Sequence, residues 1–173
     1  MPKKIPDSAQ ELGIITMAFT ASLRRENIQP ILEKYGLHDL QPDQWYPMQV
    51  TVQLYHELAD MFDKVSWGIE IGKVVTQQTQ GAPYEEYVQH LSEVYHSVHR
   101  GEGIGDVIGK MAEPGHAIIT TTTPYPDDLE YGVFYGIAKA LLPPEARLLV
   151  YYDENVQRRD FGGERTVYHV QWE

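Results

Sequence analysis

The sequence predicts an α+β domain in which N-terminal helices pack on a four-stranded antiparallel sheet with one crossover helix. Three observations predict it. Apolar residues recur at helical spacing through most of the first hundred positions; the runs beyond Val107 are short and β-branched; and one strong helical pattern, Asp127–Leu142, separates two pairs of strands. Helices first and strands later, without strict alternation, favour antiparallel pairing over a parallel sheet.

Ser8–Tyr35 reads as helical, with Leu12, Ile15, Phe19 and Leu23 near a 3.6-residue period and a second stretch through Ile28, Ile31 and Leu32, stopped by Gly36. After the polar connection Asp39–Asp43, Trp45-Tyr46-Pro47 opens a helix with Pro47 tolerated in its first turn, whose expected buried face is Val50, Leu54, Leu58 and Met61. Ser66 is placed to cap a helix running to about Val75, ended by the polar Gln77–Gly81 run. Tyr84–His99 carries apolar residues at steps of three and four, and Gly101 to Gly105 breaks it.

Val107–Ala112 and Ala117–Thr123 then form a hairpin about Glu113-Pro114-Gly115. In Asp127–Leu142, the line Leu129, Val133, Ile137 and Leu141 is apolar, and Asp127, Asp128 and Glu130 stand where the helix dipole favours negative charge. Gly132 and Gly136, four residues apart, each cost helix stability, so a close approach to backbone or ligand is the expected compensation. Pro143-Pro144 stops that helix, and Arg147–Asp153 and Arg165–Trp172 complete the sheet around a Gly-rich return.

The 173 residues, 42% of them hydrophobic, suit a single domain, residues 1–173, with 1–8 expected to be flexible. A formal net charge of −11 makes nucleic acid and anionic membrane poor partners. No apolar run approaches a membrane span and Lys3-Lys4 precedes no signal-peptide core, so the expected location is the cytoplasm. The absence of cysteine removes disulfides, thiolate metal sites and cysteine nucleophiles.

Few groups suggest chemistry. Glu93, His96 and His99 form a slanted helical ridge that supplies one Glu-x-x-His pair, where di-iron bundles use two, so no metal is expected there. Ser66, Ser92 and Ser97 lie in no nucleophile motif, and Gly101-Glu-Gly-Ile-Gly follows a helix where a dinucleotide loop follows a strand. Tyrosine is abundant, with 12 in the chain, mostly in the second half. A ligand cleft lined by aromatic rings with polar tips is therefore expected, and Trp67, Tyr95, Tyr125 and Tyr135 are its candidate wall.

From Leu91 to Trp172 the order His116-Ala-Ile-Ile-Thr, Thr123-Pro-Tyr-Pro, Tyr131-Gly-Val-Phe-Tyr-Gly-Ile-Ala-Lys-Ala-Leu, the Glu154–Gly163 return and Tyr168-His-Val-Gln-Trp resembles the vinyl-reductase-like ligand-binding domains. These are similar in turn to haem nitric-oxide-binding domains and to Golgi transport-particle subunits. The resemblance implies helices on one face of a small antiparallel sheet, with a cleft for a small or hydrophobic ligand. It also places His96 near the axial histidine of the haem-binding members. Two departures stand out: the cysteines of many vinyl-reductase-like domains are absent around Gln157 to Val167, and Thr121-Thr-Thr-Pro-Tyr-Pro-Asp-Asp puts acids where the haem-binding Tyr-x-Ser-x-Arg motif needs a base.

The expected function is a non-catalytic ligand-binding or sensory domain for a small, partly apolar ligand, with Trp67, Tyr95, His96, Tyr125 and Tyr135 as candidate ligand contacts. Its cofactor stays open, with haem through His96 disfavoured. Binding is expected to shift the His96 helix or the Gly132 and Gly136 helix, read by a separate signalling partner or a second copy in a homodimer. An assembly adaptor resembling the transport-particle subunits is one alternative, a haem-binding gas sensor or tetrapyrrole-related protein using His96 is another, and an enzyme is the least favoured reading.

Overall fold

The computed structural model describes residues 5–77 and 81–173. The elements in order are β1 (Gln10–Leu12), α1 (Gly13–Thr20), α2 (Arg25–Lys34), β2 (Trp45–Pro47), α3 (Met48–Met61), α4 (Lys64–Thr76), α5 (Tyr84–Gln89), α6 (Leu91–Val98) and β3 (His99–Arg100). They are followed by β4 (Val107–Glu113), β5 (His116–Thr121), α7 (Asp127–Leu141), β6 (Leu148–Tyr152), a 3-10 turn at Arg159–Phe161 and β7 (Thr166–Trp172). The main sheet has four antiparallel strands in the order β4-β5-β7-β6, and a small second sheet has the order β2-β1-β3. Gly115 turns the β4–β5 hairpin with φ +78°, a left-handed conformation that glycine adopts freely.

The main sheet and its crossover helix match the expectation from patterning. Inward residues of β5 alternate, with Ala117, Ile119 and Thr121 buried, and Tyr168 and Val170 of β7 join them in the core. The helical layer departs from expectation in several places. The stretch read as one helix over Ser8–Tyr35 is β1, α1 and α2, because residues 10–12 are captured between β2 and β3. Trp45–Pro47 is a strand for the same reason, and Pro47 precedes α3. Met61, expected on the buried face of α3, is exposed, while Tyr55 and Thr51 are buried. Tyr84–His99 is broken at His90 into two helices and ends in β3.

Asp63, not Ser66, caps α4: its carboxylate accepts the Ser66 backbone N–H at 2.7 Å. Part of the Gln77–Gly81 run, residues 78–80, lies outside the described residues. Ile5 and Ala9 are buried in the core, while Asp7 and Ser8 between them are exposed.

The helices α4 and α7 are the tightest contact in the molecule. They run in the same direction, and a Cβ built on Gly132 would lie 2.2 Å from the Val65 carbonyl oxygen; one on Gly72 would lie 2.4 Å from that of Val133. Gly68 and Gly72 of α4 therefore interlock with Gly132 and Gly136 of α7, and backbone approaches backbone as the sequence leads one to expect. This pair fixes one wall of a cavity against which α1 and α6 form the other.

Candidate ligand-binding cavity

A cavity of about 480 Å³ lies between α1, α4, α6 and α7. Its surface is largely aliphatic: Ile14, Ile15 and Ala18 from α1, Val74 and Val75 from α4, Leu91, Val94 and Val98 from α6, and Val133 and Ile137 from α7. Val94 is exposed, so the α6 side of the cavity reaches the surface. Such a volume is in the range of small-molecule sites, about 300–1,000 Å³. Lysine and arginine are absent from its lining among the described residues.

At the inner end stands a chain of polar groups. His99 opens β3 and is paired in register with Glu11 of β1, so the small sheet sets imidazole and carboxyl side by side on neighbouring strands. The Tyr125 hydroxyl bridges them, 2.6 Å from His99 Nε2 and 2.9 Å from Glu11 Oε2. His99 Nδ1 lies 2.8 Å from the Tyr95 carbonyl oxygen, and Glu11 Oε1 accepts the Thr16 hydroxyl at 2.6 Å and the Tyr55 hydroxyl. Glu11, Thr16 and Tyr55 are fully buried.

Proton bookkeeping constrains this chain. A carbonyl only accepts, so Nδ1 carries a proton. If Glu11 is an acid, it donates to Tyr125, Tyr125 donates to His99 Nε2, and the imidazole is neutral. If Glu11 is ionised, Tyr125 donates to it and Nε2 must also carry a proton, giving an imidazolium. Burial pushes the Glu11 carboxyl up, against hydrogen bonds from Thr16, Tyr55 and Tyr125, and pushes His99 down to about 4. Both effects act toward the neutral arrangement, in which Nε2 accepts from Tyr125.

The second polar group at the wall is Glu130 of α7. Its carboxylate meets Arg159 Nη2 at 2.6 Å, and the hydroxyls of Thr121, Thr123 and Tyr168 also donate to it. Arg159 further contacts Asp127 at 2.7 Å, and Asp127 accepts the Thr166 hydroxyl. The acids expected merely to complement the helix dipole are thus divided: Asp127 and Glu130 are buried around Arg159, while Asp128 pairs with Arg158 at 3.0 Å. Burial raises the Glu130 carboxyl, with the Arg159 charge opposing. The cluster ties the β6–β7 return to the start of α7.

Of the five side chains the sequence singles out, Tyr95 and Tyr125 line the cavity. Trp67, His96 and Tyr135 lie outside its lining. Trp67 is buried behind Phe19, to whose carbonyl its indole N–H donates at 2.6 Å. His96, 47% exposed, points away and lies 3.3 Å from Asp106. Tyr135 is half-buried on α7. His99 takes the inward place because α6 ends at Val98, and the extended backbone that follows turns its ring inward. The ridge Glu93, His96 and His99 therefore does not converge, and no cluster of three or more potential metal ligands forms among the described residues.

Glu11 and Glu130 were not among the candidates. Glu11 offered a signal, a lone acid immediately before the apolar stretch Gly13–Phe19, but His99 and Tyr125, which complete its polar chain, are 88 and 114 residues away.

No protein-family model matches this sequence, and no curated protein matches it. Solved structures do share its fold. An H-NOX protein from S. oneidensis in the Fe(II)NO ligation state superposes with a TM-score of 0.70 at 12% identity, covering 94% of this chain and 99% of that one. The I5F mutant of T. tengcongensis H-NOX gives 0.66 at 12% identity, covering 93% and 94%. The fold is therefore the H-NOX-like α+β fold along almost the whole chain.

Proposed function

We propose that this H-NOX-fold domain is a sensory module that encloses a small, apolar, uncharged ligand between α1, α6 and the interlocked α4–α7 pair. The observation that carries the reading is the 480 Å³ cavity, aliphatic on most of its surface and without a cation in its lining among the described residues. Apolar burial drives uptake, since each methylene removed from water contributes about 0.8 kcal/mol. Occupancy is read as packing: α1 and α6 close over the ligand, and α7 carries the change to the sheet through Glu130, Arg159 and the β6–β7 return. A separate partner or a second copy of the chain reads that change.

Haem, named in the descriptions of other solved structures of this fold, is the second reading, and a buried imidazole in the cavity wall favours it. The donor set does not fit it. His99 Nε2 is filled by Tyr125, Arg159 is spent on Asp127 and Glu130, and no lysine or arginine among the described residues lines the cavity to neutralise two propionates.

Absorbance and native mass spectra of the purified protein test the proposal together. A bound organic mass without a Soret band is the expected result. A Soret band that disappears in His99→Leu selects haem instead.

A further inference from the structure

We infer that Tyr125, held by Glu11, is an internal lock on the His99 imidazole that reserves the cavity for metal-free ligands. The inference rests on the ligand-binding reading of the cavity and names what the site rejects. Its basis is geometry. Register places Glu11 opposite His99 across β1 and β3, and Tyr125 reaches both from the segment before α7.

Each member is fixed from behind. Thr16 and Tyr55 hold Glu11, the Tyr95 carbonyl holds the far nitrogen of His99, and the Tyr125 ring packs on Phe19 and Tyr55 at centroid distances of 5.5 and 5.8 Å. The tautomer this imposes would otherwise present a free Nε2 lone pair to the cavity, which is what a metal-centred ligand needs. Tyr125 occupies that lone pair at 2.6 Å. The chain is satisfied at every atom discussed, so an apolar ligand leaves it intact, while a metal must break it.

The test uses ferric haemin and its dimethyl ester, whose capped propionates remove the charge mismatch, added to the full chain and followed by absorbance. Nile red binding is titrated in parallel. Wild type is expected to give no His99-dependent Soret band with either porphyrin. Tyr125→Ala is expected to give one with the ester, and the band is lost in the Tyr125→Ala/His99→Leu double variant.

A His99-dependent band in wild type overturns the lock, as does its absence in a Tyr125→Ala protein that still unfolds cooperatively and binds Nile red. If Tyr125→Ala does not fold, the ¹⁵N resonances of His99 in wild type and Tyr125→Phe decide. The lock predicts a protonated Nδ1 in wild type and an Nε2 signal that moves on loss of the hydroxyl; an unmoved signal overturns it. Failure of wild type to bind Nile red counts against the cavity reading, while the ¹⁵N result still judges the lock.

Discussion

His99 is the residue on which the chemistry of the site turns. Its burial as a neutral base has a consequence for stability, since its folded value of about 4 lies below the ordinary value of 6.5. A depressed histidine leaves the unfolded chain binding the extra proton, so stability falls as pH drops from about 6.5 toward 4. Over about 2.5 pH units at roughly 1.4 kcal/mol each, that amounts to about 3 kcal/mol. Glu11 runs in the opposite sense: its raised value makes the protonated fold the stable one, with stability lost as pH rises through the folded value. Urea unfolding of wild type and His99→Leu at pH 7 and pH 4.5 checks the first effect. Wild type should lose the larger share of its stability at the lower pH; equal losses contradict a neutral His99.

At the scale of elements, α4 and α7 behave as one unit. Replacing Gly132 by Ala improves helix propensity by about 1 kcal/mol, yet the new methyl meets the Val65 carbonyl at 2.2 Å, and backbone there cannot turn aside as a side chain would. A net loss of about 2 kcal/mol is expected by thermal or urea unfolding, with weakened ligand uptake because both helices line the cavity; a stabilised variant contradicts the interlock. This interlock was legible in the spacing of Gly132 and Gly136, as was the sheet, because both depend on local patterns of period 3.6 and 2. β1, β2 and β3 were not legible. Each is two or three residues long and exists only through pairing between distant segments, so helical periodicity in the flanks masked them. The inward turn of His99, and with it the exchange of roles with His96, depends on that small sheet.

At the scale of the whole molecule, the formal charge of −11 surrounds an aliphatic chamber whose buried polar groups answer one another rather than a ligand. On the proposed reading, that arrangement suits an uncharged guest better than a charged one. The proposed function requires the chamber to be open to an uncharged guest. The most direct measurement is an equilibrium fluorescence titration of Nile red into wild type and Ala18→Phe, whose added ring fills space beside Phe19 on the α1 wall. Saturable binding to wild type, weakened by about tenfold or more in a variant with unchanged cooperative unfolding, is the predicted result. Equal affinity in the two proteins, or no binding to either, would contradict it.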